Sequence, residues 1–258
     1  LLLSGARFEN GVEIHHRGEF LPSLPHIDMS IEMLMRHSVD VQVEYTSAVD
    51  VKWSIAPSSI QAFNWNIEPD LSNALPFLAA AMVTEGSITI PHWPLASTQP
   101  GFRAPLLLQK MGARFRLDET GLTLYGPDTI NGIDENLSDV GELTPVLVAI
   151  AALASTPSRF SGISHLRGHE TDRLQALTTE ISKCGGKIQE TADGLEIEPA
   201  KLRGSVFETY NDHRMVMAAS VLGLKVEGIH IQNPSTVAKT FPEYQATWNQ
   251  MLGIVDAI

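Results

Sequence analysis

An internal repeat constrains the fold of this chain more than any other feature of its sequence. Three segments beginning at Asp70, Glu142 and Asp212 follow one plan, and their first residues lie 72 and 70 positions apart. In each segment an acidic residue precedes an Ala-rich apolar helix, a short alternating strand and a second, amphipathic helix that ends near glycine. Because such a unit cannot bury its apolar helix alone, the three copies are expected to pack together. The sequence therefore predicts an α/β (α+β) protein built from repeated units.

The repeats account for residues 65–258, and residues 1–64 are predicted to form a separate, incomplete unit of similar type. In this incomplete unit we expect a strand, a helix and two further strands at 12–16, 27–36, 39–44 and 51–55. In the repeat domain, the Ala-rich helices are apolar on nearly every side, which predicts full burial. Helices inward and sheets outward, or the reverse arrangement, would both satisfy this pattern.

Composition narrows the class of partners. The net charge of −12 argues against nucleic acid or an anionic membrane surface, and no apolar run approaches the ~18 residues of a membrane helix. The single cysteine, Cys184, excludes an internal disulfide and predicts a cytoplasmic protein. The apolar start at Leu1 has neither Met nor a basic region, so we expect a fragment whose upstream part is absent, and not a signal peptide.

Two short runs, 169–174 and 212–214, concentrate ionisable side chains in a chain that is mostly aliphatic and small. Opposite charges this close perturb each other's proton affinity, which an acid–base catalyst needs. Arg173 and Arg214 offer planar forks that match carboxylate or phosphate. Because Glu142 opens its repeat as Asp212 does, several acid-bearing helix starts could converge where the repeats meet.

Each of these residues also has a purely structural interpretation. Glu170 and Asp172 could occupy a first helical turn with Thr171 as the cap, and Asp212 could simply cap its own helix. Lys239, taken alone, is typical of a solvated lysine. The functional signal is thus the convergence of several residues. The nine histidines lack metal-ligand spacing and no nucleotide-binding loop is present, so we predict neither a metal nor a cofactor.

Three motifs carry a resemblance to a known family. LRGHETDRL (166–174), YNDHRM (210–215) and AKTFPEY (238–244) resemble the 5-enolpyruvylshikimate-3-phosphate synthase family, and SDVGELTP (138–145) and LPSLPHID (21–28) fit in the same order. The sequences SDVGELTP and HLRGHETDRL resemble those of the actinobacterial branch of the family. The resemblance implies an enolpyruvyl transferase fold, in which βαβαββ units repeat with pseudo-threefold symmetry as an inside-out α/β barrel. It also implies transfer of the enolpyruvyl group of phosphoenolpyruvate to the 5-hydroxyl of shikimate 3-phosphate, with release of phosphate, in aromatic amino acid biosynthesis.

The resemblance also implies residue roles. Glu142, which stands where the family has an Asp, would take the proton of the 5-hydroxyl, and Glu170 would exchange the proton at the methylene carbon of phosphoenolpyruvate. Arg173, Arg214 and Lys239 would bind that substrate. Asp212 and His213 would support the site. The residues implied to bind shikimate 3-phosphate are Ser23, His26, Glu142, His165 and His169, of which the three histidines replace a Tyr, an Asn and a Lys of the family.

Two alternatives stay open. The first is an enolpyruvyl transferase of the same fold that acts on UDP-N-acetylglucosamine, and the second is a non-catalytic repeat module that presents only an interface. By resemblance, the full-length enzyme would be a monomer with two small-molecule substrates, and we expect neither nucleic acid nor a membrane as a partner. The front-end Lys and Arg of the family and its Ser-Ser-Gln phosphate-binding run are not in this sequence. We therefore expect the chain to be nearly inactive alone.

Overall fold

The computed structural model describes residues 1–18, 21, 23–47 and 49–254, and it divides the chain into two compact units. Unit 1 comprises Leu1–Glu68 and Ala96–Pro100, and unit 2 comprises Pro69–Leu95 and the chain from Gly101 onward. The short segment 96–100 belongs to unit 1 because Thr98 donates a hydrogen bond to Glu32 (2.8 Å) and Ser97 donates one to Glu68 (2.6 Å). The predicted boundary at 64/65 falls a few residues before the passage from unit 1 to unit 2 at 68/69.

Unit 1 is an antiparallel sheet packed against a helix. Its elements are α1 (Leu2–Gly5), β1 (Val12–His16), α2 (Leu24–Arg36), β2 (Gln42–Tyr45) and β3 (Val51–Ile55). The strand order is β1-β3-β2, and the central strand alternates buried and partly exposed residues, as the sequence pattern predicts. Strand β2 begins later than the predicted residue 39, because left-handed Ser38 (φ 62°) turns the chain and Val39 and Val41 enter the core before pairing starts.

The first repeat of unit 2 has an antiparallel sheet of three strands in the order β4-β6-β5. Its elements are α3 (Leu71–Thr84), β4 (Ser87–Pro91), α4 (Ala104–Lys110), β5 (Arg114–Asp118) and β6 (Gly121–Tyr125). Asp70 caps α3 by accepting a hydrogen bond from the Asn73 N–H at 2.8 Å, as its position before an apolar run indicates.

The second repeat is a complete βαβαββ unit with the strand order β7-β8-β10-β9. Its elements are β7 (Asp134–Asn136), α5 (Thr144–Ala151), β8 (Ser158–Ser161), α6 (Arg173–Lys183), β9 (Lys187–Glu190) and β10 (Leu195–Glu198). Strands β7 and β8 are parallel, and the other pairings are antiparallel. The third repeat has two parallel strands, and its elements are β11 (Val206–Phe207), α7 (His213–Gly223), β12 (His230–Ile231) and α8 (Tyr244–Met251).

The Ala-rich first helices of the three repeats form the core of unit 2. Helices α3, α5 and α7 pack on one another, and nearly all of their residues are buried. The arrangement with helices inward is therefore the correct one of the two that the pattern allowed. The reason is that small Ala side chains let three helices approach closely, whereas α6 buries only one face. Among the described residues, no helix has the length and apolar content to cross a membrane.

Four 3-10 turns connect these elements, at Pro100–Arg103, Gly141–Leu143, Ser164–Gly168 and Pro234–Lys239. Three of them, from the second and third repeats, carry predicted site residues and precede α5, α6 and α8. The contacts of Arg173 with Asp212 and of Arg214 with Glu142 place the amino-terminal ends of α5, α6 and α7 close to one another.

Candidate active site

A buried ion pair joins two repeats of unit 2 at the centre of the candidate site. Arg173 opens α6, and its guanidinium donates to Asp212, which caps α7, from Nε (2.7 Å) and from a terminal nitrogen (3.2 Å). Asp212 also accepts the backbone N–H of Arg214 at 2.8 Å. Both side chains of the ion pair are almost wholly buried. Burial alone would raise the pKa of Asp212, but the hydrogen bonds and charge of Arg173 hold this pKa below its usual value.

Glu170 reaches this ion pair from the turn before α6. Its Oε2 accepts a hydrogen bond from Arg173 at 2.8 Å. The purely structural interpretation, with Glu170 and Asp172 inside the first helical turn and Thr171 as the cap, is wrong. Asp172 is itself the cap and accepts the Gln175 N–H at 3.0 Å. Glu170 therefore precedes the helix, and its side chain is free to turn back toward Arg173 while remaining 40% exposed.

His213 lies beside both acids, with its Nδ1 3.7 Å from Glu170 Oε1 and 3.8 Å from Asp212 Oδ1. Burial, and then the positive charge of Arg214, lower the pKa of His213. The imidazole is therefore held neutral near pH 7, and in that state it can donate from one ring nitrogen and accept at the other.

A second cation and acid face each other at the start of α7. Arg214 is 8% exposed, and its terminal nitrogen lies 3.8 Å from Glu142 Oε2. Burial lowers the pKa of Arg214, whereas Glu142 and Asp70 act in the opposite direction, and the guanidinium remains charged. Glu142 itself lies in the 3-10 turn before α5, one turn earlier than a first-turn acid, and its Oε1 accepts a hydrogen bond from Ser72 Oγ at 2.6 Å.

Ser72 is a candidate site residue that sequence reasoning missed. The repeat held a signal for it: Ser72 stands two residues after Asp70, and Arg214 stands two residues after Asp212. Equivalent positions of the repeat therefore deliver one side chain each to Glu142. Only the packing of α3 against α5 and α7 makes this equivalence a contact.

Two histidines extend the cluster. The rings of His165 and His169 lie 5.8 Å apart, and His169 Nδ1 lies 3.1 Å from a terminal nitrogen of Arg173. Because a guanidinium only donates, Nδ1 of His169 must accept, which requires a neutral ring. Burial, followed by the positive charge of Arg173, lowers the pKa of His169. Burial is the main cause that lowers the pKa of His165.

The remaining predicted residues lie at the edge of this cluster or outside it. Lys239 ends the 3-10 helix Pro234–Lys239 and is exposed, yet its Nζ donates to the carbonyl oxygen of Asn211 at 2.6 Å, directly before Asp212. Ser23 and His26 belong to unit 1, where Ser23 caps α2 with a left-handed backbone (φ 57°) and its carbonyl accepts the His26 N–H at 3.0 Å.

The cluster has the chemistry of an anion site with two nearby proton carriers. Two arginines, three carboxylates and neutral imidazoles converge near helix amino termini, where backbone N–H groups favour anions. In the described part of the chain, no three His, Cys, Asp or Glu side chains are grouped so that they could hold a metal ion.

Solved structures with this fold identify the class of protein. The enolpyruvyl transferase NikO from Streptomyces tendae is 15% identical, with a TM-score of 0.64 over 93% of this chain and 55% of that one. An EPSP synthase structure from Acinetobacter baumannii is 24% identical, with a TM-score of 0.74 over 98% of this chain and 58% of that one. A second is 23% identical, with a TM-score of 0.73 over 97% of this chain and 58% of that one. At these identities the likeness shows the enolpyruvyl transferase fold, which confirms the predicted fold class.

The family model for EPSP synthase (3-phosphoshikimate 1-carboxyvinyltransferase) matches residues 1–248. The chain belongs to this family, and the resemblance read from the three motifs is confirmed. This chain spans 58% of the length of the EPSP synthase structures that it matches. The likeness to an actinobacterial branch stays a prediction.

Proposed function

We propose that the protein transfers the enolpyruvyl group of phosphoenolpyruvate to the 5-hydroxyl of shikimate 3-phosphate and releases phosphate. The observation that carries this proposal is the convergence of Arg173 and Arg214 with Glu142 and Glu170 in a chain of the EPSP synthase family. The two substrates are anions, and the reaction needs one proton removed from oxygen and one added to carbon.

The two carboxyl groups suit two different proton transfers. Glu142 would accept the 5-hydroxyl proton as the oxygen forms a bond to C2 of phosphoenolpyruvate, and Glu170 would donate a proton to the methylene carbon, giving a methyl group. Glu170 would then take a proton back from that methyl group while the C–O bond to phosphate breaks. The double bond is restored, phosphate leaves with the bonding electrons and with the proton that Glu142 had accepted, and no redox step is needed.

The two arginines have different roles in this proposal. Every guanidinium nitrogen of Arg173 already contacts a protein acceptor, namely Asp212, Glu170 or His169. Arg214 makes a longer ion pair, at 3.8 Å, with Glu142. We therefore assign Arg214, together with Lys239, as the main ligands of the phosphoenolpyruvate anion, and Arg173 as the group that also fixes Glu170 and Asp212.

The remaining expectations belong to the same proposal. Residues 1–64 and 65–258 would belong to different domains, and Ser23, His26, His165 and His169 would contact shikimate 3-phosphate. The full-length protein would be a cytoplasmic monomer. The 258 residues alone would turn over slowly, because the front-end cations and the Ser-Ser-Gln run implied by the family resemblance are not in this sequence.

A substrate comparison tests the proposal. Phosphate release is measured with phosphoenolpyruvate and either shikimate 3-phosphate or UDP-N-acetylglucosamine, for the 258 residues and for the full-length protein. We expect release only with shikimate 3-phosphate and mainly from the full-length protein. Release with the sugar nucleotide alone would favour the first alternative. Release with neither would favour the non-catalytic module, although the burial of Arg173 and Arg214 argues against a plain interface.

A further inference from the structure

Helix α6 makes a second buried polar contact to the segment before α7, separate from the Arg173–Asp212 pair. Glu180 lies seven residues after Arg173, on the same face of α6, and is 1% exposed. Its carboxylate accepts hydrogen bonds from the Tyr210 hydroxyl (2.7 Å), the Glu208 N–H (3.0 Å) and Lys183 Nζ (2.7 Å). A buried carboxylate with three donors is held in one place. Helix α6 therefore contacts the segment 208–212 at both ends, through Glu180 at one end and Arg173 at the other.

The backbone between these two contacts, at Tyr210 and Asn211, is strained. Tyr210 and Asn211 are consecutive non-glycine residues in the left-handed region, with φ values of 52° and 56°. Such residues keep this conformation only where their surroundings determine it. Asn211 accepts hydrogen bonds from Lys239 Nζ at its carbonyl oxygen (2.6 Å) and from Asn233 at its side chain (3.1 Å).

The left-handed turn at Tyr210 and Asn211 determines the orientation of the site residues that follow it at the start of α7. The Asp212 N–H closes the turn by donating to the Thr209 carbonyl at 2.8 Å, and α7 begins at the next residue. A change in the backbone at Tyr210 would therefore rotate Asp212, His213 and Arg214 together.

We propose that Tyr210 and Glu180 are positioning residues of the candidate active site. The Tyr210 hydroxyl, bonded to Glu180, holds the left-handed turn so that Asp212, His213 and Arg214 face Arg173, Glu170 and Glu142. The effect on catalysis rests on the proposed enolpyruvyl transfer, whereas the effect on the geometry does not.

The state of the hydroxyl group supports this role. Burial, and then the hydrogen bond to Glu180, raise the pKa of Tyr210 to about 12. The hydroxyl therefore keeps its proton and remains a donor at any pH at which the protein would work. Tyr210 is 39% exposed, so removal of the hydroxyl changes its hydrogen bonds to Glu180 and Thr179 and little packing.

Tyr210→Phe tests the inference, with Tyr125→Phe as its matched control. Tyr125 ends β6 in the same unit and has the same 39% exposure. For each variant, kcat/KM for phosphoenolpyruvate is measured on the full-length protein, the His213 imidazole is titrated by NMR, and the thermal midpoint is recorded. We expect Tyr210→Phe to lower kcat/KM about tenfold, the order expected for losing a hydrogen bond to a charged group. The His213 pKa should rise toward its ordinary value as burial is lost, and Tyr125→Phe should change neither quantity.

A conservative change at the acid adds a second comparison. In Glu180→Gln the side-chain oxygen can still accept the Glu208 N–H, and its amide can donate to the Tyr210 hydroxyl, so kcat/KM should fall less than in Tyr210→Phe.

The outcomes separate this inference from the proposed function. If the wild-type protein does not react with shikimate 3-phosphate, the proposed function fails, and the His213 titration alone then decides the positioning role. An unchanged His213 pKa in Tyr210→Phe overturns the inference in either case. A lower thermal midpoint with kcat/KM and the His213 pKa both unchanged also overturns it, because the hydroxyl would then serve stability only.

Discussion

Arg173 and Asp212 lie 39 positions apart in the chain and form a buried, two-bond ion pair between α6 of the second repeat and α7 of the third. The pair fixes the amino termini of two helices at one point. Glu170 accepts a hydrogen bond from the same arginine, and His213 follows the same aspartate in the chain. The ion pair therefore also holds Glu170 and His213 in place.

Removal of the acid of this pair should lower the stability of the protein. Asp212→Ala leaves Arg173 buried without its counter-ion, and the free energy of unfolding should fall by about 3–5 kcal/mol, the range for breaking a buried ion pair. Urea unfolding measures the change. Lys187→Ala removes one side of an exposed pair with Glu198 and should have little effect. Equal effects of the two substitutions would contradict a structural role for the buried pair.

Stability should depend on pH through His169. Its folded pKa is lowered, so below about pH 6.5 the unfolded chain binds more protons than the folded one. Its contribution to stability is complete above that pH and is lost as the pH falls through the folded pKa. We expect the unfolding free energy of the wild type to decline between about pH 7 and 5, and to decline less in His169→Gln. Equal slopes in urea titrations would contradict this prediction.

Glu142→Gln should affect turnover more than binding. A general base contributes about 10²- to 10⁴-fold to rate, so kcat in the phosphate-release assay should fall by that order while KM changes much less. Glu135→Gln, in β7 of the same repeat, serves as the matched control and should leave kcat unchanged. A Glu142→Gln enzyme with normal kcat would remove this residue from the role of base.

Arg214→Lys should weaken phosphoenolpyruvate binding. Lysine keeps the charge but loses the planar fork that holds a carboxylate or phosphate by two bonds, so KM for phosphoenolpyruvate should rise about tenfold or more. Arg159→Lys changes an arginine of β8 whose side chain is exposed, and it provides the control. The assignment of Arg214 as an anion ligand would fail if both variants kept the wild-type KM.

Gly141 should not tolerate a side chain. A Cβ atom there would lie 2.7 Å from His165 Nε2, so the imidazole would have to move. Gly141→Ala should lower the unfolding free energy by about 1 kcal/mol or more, the order expected for overpacking, and should shift the His165 ring signals in NMR spectra. At Gly168, where no neighbour lies within 4 Å, the same substitution should do neither. Identical behaviour of the two variants would argue against close packing at His165.

Much of the candidate site could be anticipated from local sequence. Asp212 before the apolar run of α7 predicts a cap, and the structure has one there. Asp172 caps α6, where the structural interpretation had placed Thr171. Ser72, Glu180 and Tyr210 were missed because their partners lie 70, 30 and 30 positions away in the chain. No local pattern distinguishes a serine that bonds to a distant acid from one that faces water.

The sequence by itself determined the repeated units, the burial of the Ala-rich helices and the Asp caps, because apolar periodicity and capping act over a few neighbouring residues. Only the tertiary structure decided which side chains meet. The packing of α3, α5 and α7 selects one relative arrangement of the repeats, and that arrangement brings Ser72, Glu142 and Arg214 together. Close packing fixes such contacts because a shift of one helix would cost buried area throughout the core.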